Sequence, residues 1–326
     1  MTTNPAAPDA SIGVTGVVTP AAVTTRPRRQ RNISPLQRSQ VKWGYIFAAP
    51  AVLGFIIFTA GPMLASLVVS LTNWTIGTSP SFIGTRNYQD ILHDQLFWKS
   101  VRVTAWYAVL AVPGGIIVAF LVALLLNNAG RRSRGFFRTT FYIPVLVPPV
   151  ASSVLWLWLY NPDSGLLNAA LKFLHLPTSL WVYGEKTAVP SVALMTMWAF
   201  GNMALIFLAG LQGVPKELLE AAQIDGASAV RRLWHITLPQ VSPIILFNLI
   251  TGMIAAVQAF DAAYVMTNGG PNNATLFYVF YLYTKAFSQA QLGYASALAW
   301  VLFATILVVT AALFRTARHW VFTGEL

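Results

Sequence analysis

Few side chains in this sequence could carry chemistry. Its 326 residues include 10 Asp and Glu, 4 His and no Cys. The lack of Cys excludes a disulfide framework, thiol catalysis and Cys-based zinc sites. The His residues stand far apart and show no metal-ligand spacing. Outside one loop, Asp90 and Asp94 are the only close carboxylates, and we interpret them as residues of a loop surface. An enzyme that needs paired carboxylates or a His cluster is therefore disfavoured.

Polar side chains inside long apolar stretches are stronger candidates, because such residues usually mark a pathway for a solute or an ion. In one stretch, Trp198 and Asn202 are four residues apart and would share one side of a helix. Four polar residues of a second stretch fall within an arc of about 140° on a helix. Aromatic faces beside amides suit sugars, whose C–H faces stack on rings while their hydroxyls form hydrogen bonds. The second group consists of Asn248, Thr251, Gln258 and Asp261.

Helix–helix packing through amide hydrogen bonds is the competing interpretation of these residues. For Asn248 and Thr251, the packing interpretation and the path interpretation are equally strong. For Asn202 and Gln258, we favour the path interpretation. Asp261 is the only carboxylate within a predicted span, where an ion-coupled transporter could use it as a proton site. It lies close to a polar turn at the outer end of its span, so we favour a capping or pairing role.

The elements that position these residues are predicted to be membrane helices. Only 10% of the residues are charged and 56% are hydrophobic, whereas a soluble domain usually has about 25% charged residues. A helix needs about 20 mostly apolar residues to cross a bilayer. The sequence therefore predicts an all-α polytopic membrane protein with six spans, the third kinked by prolines as membrane helices tolerate. The predicted spans cover residues 44–71, 104–127, 139–160, 189–211, 241–265 and 293–314.

The distribution of basic residues sets the predicted topology. Most of the 21 Lys and Arg fall in the N-terminal segment, the second and fourth connections and the C-terminal tail. The positive-inside rule places those segments, and so both termini, in the cytoplasm. We predict a disordered cytoplasmic tail over residues 1–40 and a transmembrane domain over residues 41–326.

One predicted cytoplasmic loop, residues 213–239, differs from the others in its pattern. Pro215 suits the start of a helix over residues 216–224, and Asp225-Gly226 indicates a turn. A second helix is predicted over residues 227–237, ending before Pro239. Three of the 10 carboxylates lie in this loop, whereas a helix on the membrane surface is usually basic. The loop is therefore predicted to dock a protein.

The run Glu-Ala-Ala-Gln-Ile-Asp-Gly-Ala from Glu220 to Ala227, followed by Ile236-Thr237-Leu238-Pro239, resembles the EAA loop of type I ABC importer permeases. In that family the loop forms coupling helices that sit in a cleft of the ATPase subunit. The resemblance implies the permease fold of that family and a coupling role for the matching residues. These residues are Glu220, Ala221, Ala222, Asp225, Gly226, Ala227, Leu238 and Pro239.

A second patch, from Phe260 to Pro271, and the outer run from Asn161 to Asn168 resemble the carbohydrate-uptake branch, the maltose and glycerol-3-phosphate type of permease. The resemblance implies import of a mono- or oligosaccharide. Glycerol-3-phosphate is an alternative, although the predicted spans offer no basic residue to a phosphate. An ion-coupled secondary transporter, working alone, is a further alternative. The predicted substrate path consists of Trp198, Asn202, Gln258, Asp261 and Tyr264.

The partners follow from the same resemblance. They are a second related permease, two copies of an ATPase and an extracytoplasmic solute-binding protein, in the cell membrane and without nucleic acid. The sequence contains no Gly-x-x-x-x-Gly-Lys-[Ser/Thr] phosphate loop, so ATP would bind to another polypeptide. We therefore expect a non-catalytic subunit without a cofactor of its own, whose partner ATPase holds ATP and Mg²⁺. The aromatic run over residues 277–283 is expected to form a belt at the membrane interface.

Overall fold

The computed structural model describes residues 35–322. Most of the predicted N-terminal tail therefore lies outside the described residues, although its last part, from residue 35, is helical. The chain divides into two compact units, Met1–Thr59 and Ala60–Leu326. In the first unit, helix α1 covers Pro35–Phe55 and runs into a π-helical turn at Ile56–Ala60.

In the described part of the second unit, the regular secondary structure is helical apart from one isolated β-bridge between Thr72 and Phe82. A 3₁₀ turn at Trp181–Tyr183 and three π-helical turns at Leu233–Thr237, Ala263–Thr267 and Thr284–Ser288 join its helices. Its helices are α2 Gly61–Ser70, α3 Arg86–His93, α4 Gln95–Asn128, α5 Arg131–Leu146, α6 Pro149–Leu159, α7 Leu166–Phe173, α8 Ala188–Trp198, α9 Gly201–Gln212, α10 Lys216–Ile224, α11 Ala229–Arg232, α12 Leu238–Val257, α13 Tyr278–Tyr283 and α14 Leu292–Ala317.

Helix α4 lies at the centre of this unit and packs against α8, α9 and α12. Small residues allow the close approach, as is usual between membrane helices. Ala119 and Ala123 of α4 are fully buried. A Cβ atom added at Gly252 of α12 would lie 3.2 Å from the side chain of Val112. Part of the packing therefore rests on alanine and glycine positions, which sequence periodicity alone does not distinguish from lipid-facing ones.

Four described helical segments are long and apolar enough to cross a membrane, and up to six if each of two bent pairs forms one span. The third predicted span is broken between α5 and α6 with a bend of 97°. Pro148 directly precedes α6 and Pro149 is its first residue, which explains the break because proline cannot continue the hydrogen-bond ladder. The fourth predicted span is also broken, between α8 and α9, with a bend of 51°.

Two predicted boundaries along the fifth span are wrong. Helix α12 ends at Val257, so residues 241–265 do not form one helix. The helix that starts at Ala229 does not stop before Pro239; it continues through the π-helical turn and α12 as one segment, Ala229–Val257. Pro239 is tolerated because it lies in the first turn of α12, after a π turn that has already interrupted the regular ladder.

Candidate functional site

The loop over residues 213–239, called here the coupling segment, forms a helical hairpin. Helix α10 ends at a Schellman motif, in which the Gly226 N–H donates to the Gln223 carbonyl at 3.1 Å and the Ala227 N–H donates to the Ala222 carbonyl at 2.9 Å. Gly226 has a φ of +77°, a conformation that residues with a Cβ atom rarely adopt. The predicted first helix and the predicted turn are confirmed.

Two side-chain contacts fix the second arm of the hairpin. The Ser228 hydroxyl caps α11 by accepting from the Arg231 N–H at 3.3 Å. The Arg232 guanidinium donates to Gln223 Oε1 at 2.8 Å and so joins α11 to α10. The sequence indicates Arg232 as a topology signal and as a charge that orients the loop, but it does not identify the partner, which lies nine residues away on the other arm.

The hairpin presents a surface that is both acidic and apolar. Glu220 and Asp225 are exposed. Between and beside them, the described structure exposes large apolar side chains, and Ile224 is 87% exposed. Single exposed apolar residues are ordinary, but several large apolar side chains exposed on one hairpin indicate an interaction site. We call these apolar residues the hairpin patch: Leu218, Ile224, Val230 and Trp234.

The other predicted coupling residues divide by position. Ala221 and Gly226 are exposed on the hairpin, whereas Ala222 and Ala227 are half-buried at its turn. Leu238 and Pro239 are half-buried in the first turn of α12. Leu219 and Ile236 anchor the hairpin to a buried cluster that includes Leu126 of α4, Leu211 of α9 and Val241 of α12.

The break between α8 and α9 separates two of the predicted path residues. Trp198 is the last residue of α8 and Asn202 lies in the first turn of α9, so their expected common helix face does not exist. They flank the bend instead, with Asn202 exposed and Trp198 half-buried. The Trp198 ring packs edge-on against Trp156 of α6 at 5.9 Å between centroids.

The predicted arc on the fifth span is also wrong, because the helix ends between its members. Gln258 follows the last residue of α12, and Asp261 begins a new short helical piece. Both side chains are exposed, and so is Tyr264, whose ring stacks on Phe260 at 5.2 Å. The π-helical turn that carries Tyr264 packs on α6. Helix α6 therefore contacts the elements on both sides of the predicted path.

Asn248 differs from these exposed residues, whereas Thr251 is itself exposed. Asn248 is only 1% exposed and its Nδ2 atom has no hydrogen-bond partner, so it lies in the helix packing rather than on an open surface. The Thr251 hydroxyl donates to the Phe247 carbonyl of its own helix at 2.8 Å. Burial therefore favours a position in the helix packing for Asn248, but its amide nitrogen forms none of the hydrogen bonds across helices that the packing interpretation predicts.

The sequence suggests that Asp94 lies on a loop surface, and the structure shows that this interpretation is wrong. Its carboxylate caps α4 by accepting from the Leu96 N–H at 2.8 Å, and it accepts hydroxyl donors from Tyr281 and from Tyr294, the latter at 2.7 Å. Burial opposes ionisation, but these hydrogen bonds outweigh it and hold the pKa of Asp94 below its usual value. The sequence signal was an Asp directly before a long helix, which is a typical N-cap position.

The aromatic run over residues 277–283 is mostly buried rather than spread along a membrane interface. Phe277, Tyr278, Phe280 and Tyr281 are all nearly inaccessible. The expected interfacial belt is therefore wrong for these residues, because α13 packs against α4 and α14. Among the described residues, no group of three or more His, Asp and Glu side chains could hold a metal ion.

The sequence matches one protein family and several known proteins. A family described as "binding-protein-dependent transport system inner membrane component" matches residues 111–320. The probable ABC transporter permease protein YesP of Bacillus subtilis (strain 168) is 40% identical over 283 residues, which cover 85% of this chain and 91% of the relative. The sulfoquinovosyl glycerol transport system permease protein SmoG of Agrobacterium fabrum is 33% identical over 84% of this chain and 89% of its own length.

The fold agrees with a solved structure. A chain in the crystal structure of a bacterial alginate ABC transporter, in complex with an alginate pentasaccharide-bound periplasmic protein, superposes with a TM-score of 0.75 at 20% sequence identity. The superposition covers 87% of this chain and 96% of that chain. This chain therefore belongs to the family of binding-protein-dependent transport system inner membrane components, the permeases of ABC transporters.

Proposed function

We propose that this chain is the permease subunit of an ATP-driven importer that carries a mono- or oligosaccharide across the cell membrane. Its coupling segment would sit in a cleft of a separate ATPase. The observation that carries the proposal is the exposed hairpin of α10 and α11, whose second arm continues as one helical segment, Ala229–Val257, into a candidate span. A displacement of the hairpin would therefore move α12.

Each proposed coupling residue has a role that matches its position. Glu220 and Asp225 would orient the hairpin through their exposed charges, and Gly226 would allow the tight turn. Ala221, Ala222 and Ala227 would let the ATPase backbone approach closely, because they are small. Leu238 and Pro239 would fix the exit of the hairpin into α12. ATP-driven closure of the ATPase would then rock α9 and α12 and change access to the path.

The proposed substrate path lies at the broken ends of α8 and α12. Asn202 and Gln258 would form hydrogen bonds with solute hydroxyls, and the ring of Trp198 or Tyr264 would stack on a sugar face. Asp261 would orient the exposed end of the path. The two breaks support this assignment, since broken membrane helices are typical of solute sites in transporters.

A sugar is the solute class best supported, because relatives of this chain are named for sulfoquinovosyl glycerol and for arabinooligosaccharide transport. Glycerol-3-phosphate is the second candidate. Ion-coupled transport by this chain alone is disfavoured, because the family that matches residues 111–320 is described as a component of binding-protein-dependent transport systems.

The proposed assembly contains this chain, a second related permease, two ATPase subunits and an extracytoplasmic solute-binding protein. ATP and Mg²⁺ would bind to the ATPase, so this subunit would have neither catalysis nor a cofactor of its own, and no nucleic acid is involved. Both termini would face the cytoplasm, which places the hairpin on the same side as the ATPase.

The turn at Gly226 offers a sharp test. In the assembled transporter, Gly226→Asp should abolish sugar uptake, because an Asp at a φ of +77° beside Asp225 strains the turn and adds charge where the ATPase docks. The measurement is uptake of the labelled sugar bound by the partner binding protein, together with ATP hydrolysis. Gly77, in an outer loop with a φ of +92°, provides the matched control: Gly77→Asp should retain uptake. Normal uptake and normal stimulation of ATP hydrolysis with Gly226→Asp would contradict the proposal.

A further inference from the structure

A groove with an apolar wall and a basic end lies between α12 and α14. Its volume of ≈ 660 Å³ lies within the range of about 300–1,000 Å³ that is usual for small-ligand sites. The wall comes from Leu246 of α12 and from Ala311, Ala312 and Phe314 of α14. The small side chains of Ala311 and Ala312 leave room for the groove, and the larger side chains of Leu246 and Phe314 line it.

Two arginines stand at the end of this groove. Arg315 and Arg318 are three residues apart at the end of α14, so they share one side of the helix. Both are exposed, and no described carboxylate forms an ion pair with either of them. Glu325, which follows in the sequence, lies outside the described residues. Among the described groove residues, the positive charge is uncompensated.

The chain end holds this groove in shape. After α14 the backbone turns back, and the Phe322 N–H donates to the Ser242 hydroxyl of α12 at 2.8 Å. This contact places Val321 against the groove. Trp320 and Phe322 remain exposed beside the arginines. Exposed aromatic residues next to basic residues at the end of a span are typical of the level of lipid headgroups.

We propose that this groove binds an anionic phospholipid, with the phosphate on Arg315 and Arg318 and an acyl chain along the wall of Leu246, Ala311 and Ala312. A soluble anion would use the arginines but leave the apolar wall exposed. A helix of a partner subunit would cover the wall but bury two guanidinium groups, which is costly unless they are paired. A phospholipid would cover the apolar wall with an acyl chain and pair its phosphate with the two arginines. Basic pockets between membrane helices are known to bind such headgroups.

Native mass spectrometry of the full-length chain in detergent tests the proposal, with phosphatidylglycerol and phosphatidylcholine at equal concentrations. The wild-type chain should retain phosphatidylglycerol with a preference of about tenfold or more, because both lipids carry a phosphate but the choline ammonium of phosphatidylcholine cancels its charge and is repelled by the two arginines. The double variant Arg315→Gln/Arg318→Gln should lose that preference. The double variant Arg86→Gln/Arg102→Gln removes the same charge elsewhere and should keep it.

Two further measurements separate the lipid from its rivals. Ala312→Trp fills the apolar wall and leaves both arginines, so it should weaken phosphatidylglycerol binding, and circular dichroism should show unchanged helix content. Glycerol 1-phosphate, which has the phosphate without the chains, should not displace the lipid at the same concentration. The proposal is overturned if Arg315→Gln/Arg318→Gln retains the preference, if both double variants lose it equally, if Ala312→Trp binds normally, or if glycerol 1-phosphate displaces the lipid.

Discussion

At the residue scale, Asp94 joins three elements through one carboxylate. It caps α4 and accepts hydroxyl hydrogen bonds from Tyr281 of α13 and Tyr294 of α14. The Lys285 ammonium lies over both tyrosine rings, 5.4 and 5.0 Å from their centroids, a favourable cation–π arrangement. The charge of Asp94 therefore fixes the position of α13 and α14, the two helices that follow the path residues in the chain.

The lowered pKa of Asp94 gives this contact a predictable pH dependence. Because its pKa is below the unfolded value, the carboxylate contributes stability above about pH 4 and loses that contribution as the pH falls through the folded pKa. Asp94→Asn keeps a capping oxygen but removes the charge, so we expect a loss of about 1–2 kcal/mol at pH 7. Thermal unfolding of the detergent-solubilised chain measures the difference.

The difference between the wild type and Asp94→Asn should shrink as the pH falls below about 4 and vanish below the lowered folded pKa, where both side chains are neutral. Asp90 is exposed and four residues away, so Asp90→Asn is the matched control and should unfold like the wild type. A difference between the wild type and Asp94→Asn that stays the same from pH 7 to pH 3 would show that the charge of Asp94 is not what stabilises the contact.

Some residues could be located from sequence and others could not. Gly226 was predicted because an Asp-Gly pair between two helix-forming runs has a direct local cause. Arg134 was counted only as a basic residue, yet its guanidinium donates to the carbonyls of Leu126, Asn127 and Ala129 and so caps the end of α4. That role depends on how the chain turns after α4, which local composition does not specify.

At the element scale, the hairpin patch is the surface that the proposed function needs most. Burial of one isoleucine side chain contributes roughly 1.5–3 kcal/mol, or about a 10- to 100-fold change in affinity. Ile224→Asp should therefore weaken binding of the ATPase subunit to the purified permease by at least that factor, as measured by surface plasmon resonance. Ile76 is also exposed, in an outer loop, so Ile76→Asp should bind normally. Equal affinity of both variants would exclude Ile224 from the interface.

The element boundaries show why span prediction succeeds only in part. Hydropathy measures the length of an apolar run, and α14 falls close to where it places the sixth span, whereas α4 already begins at Gln95, before the predicted start at residue 104. It does not report a change of direction inside the run, so the 51° bend between α8 and α9 was missed. The Pro148-Pro149 pair did indicate the bend before α6. At the α8–α9 bend, the close approach of Gly201 to the Phe141 backbone is a tertiary cause without a local sequence signal.

At the scale of the whole molecule, the charge distribution and the exposed surface agree with a membrane subunit of a larger assembly. The net charge of +11 follows from basic residues at the predicted cytoplasmic ends, and large apolar side chains of α4, α12 and α14 remain exposed. The family and fold could be predicted because the EAA-like run is contiguous in sequence. The contacts of the path residues could not, because they depend on helix breaks.

Transport by reconstituted liposomes tests the central claim most directly. Proteoliposomes that contain this chain, the second permease and the ATPase, supplied with the binding protein and its labelled sugar, should accumulate the sugar only when ATP reaches the ATPase. Proteoliposomes without the ATPase should show no accumulation, with or without a proton or sodium gradient. Accumulation by this chain alone, driven by an ion gradient, would contradict the account.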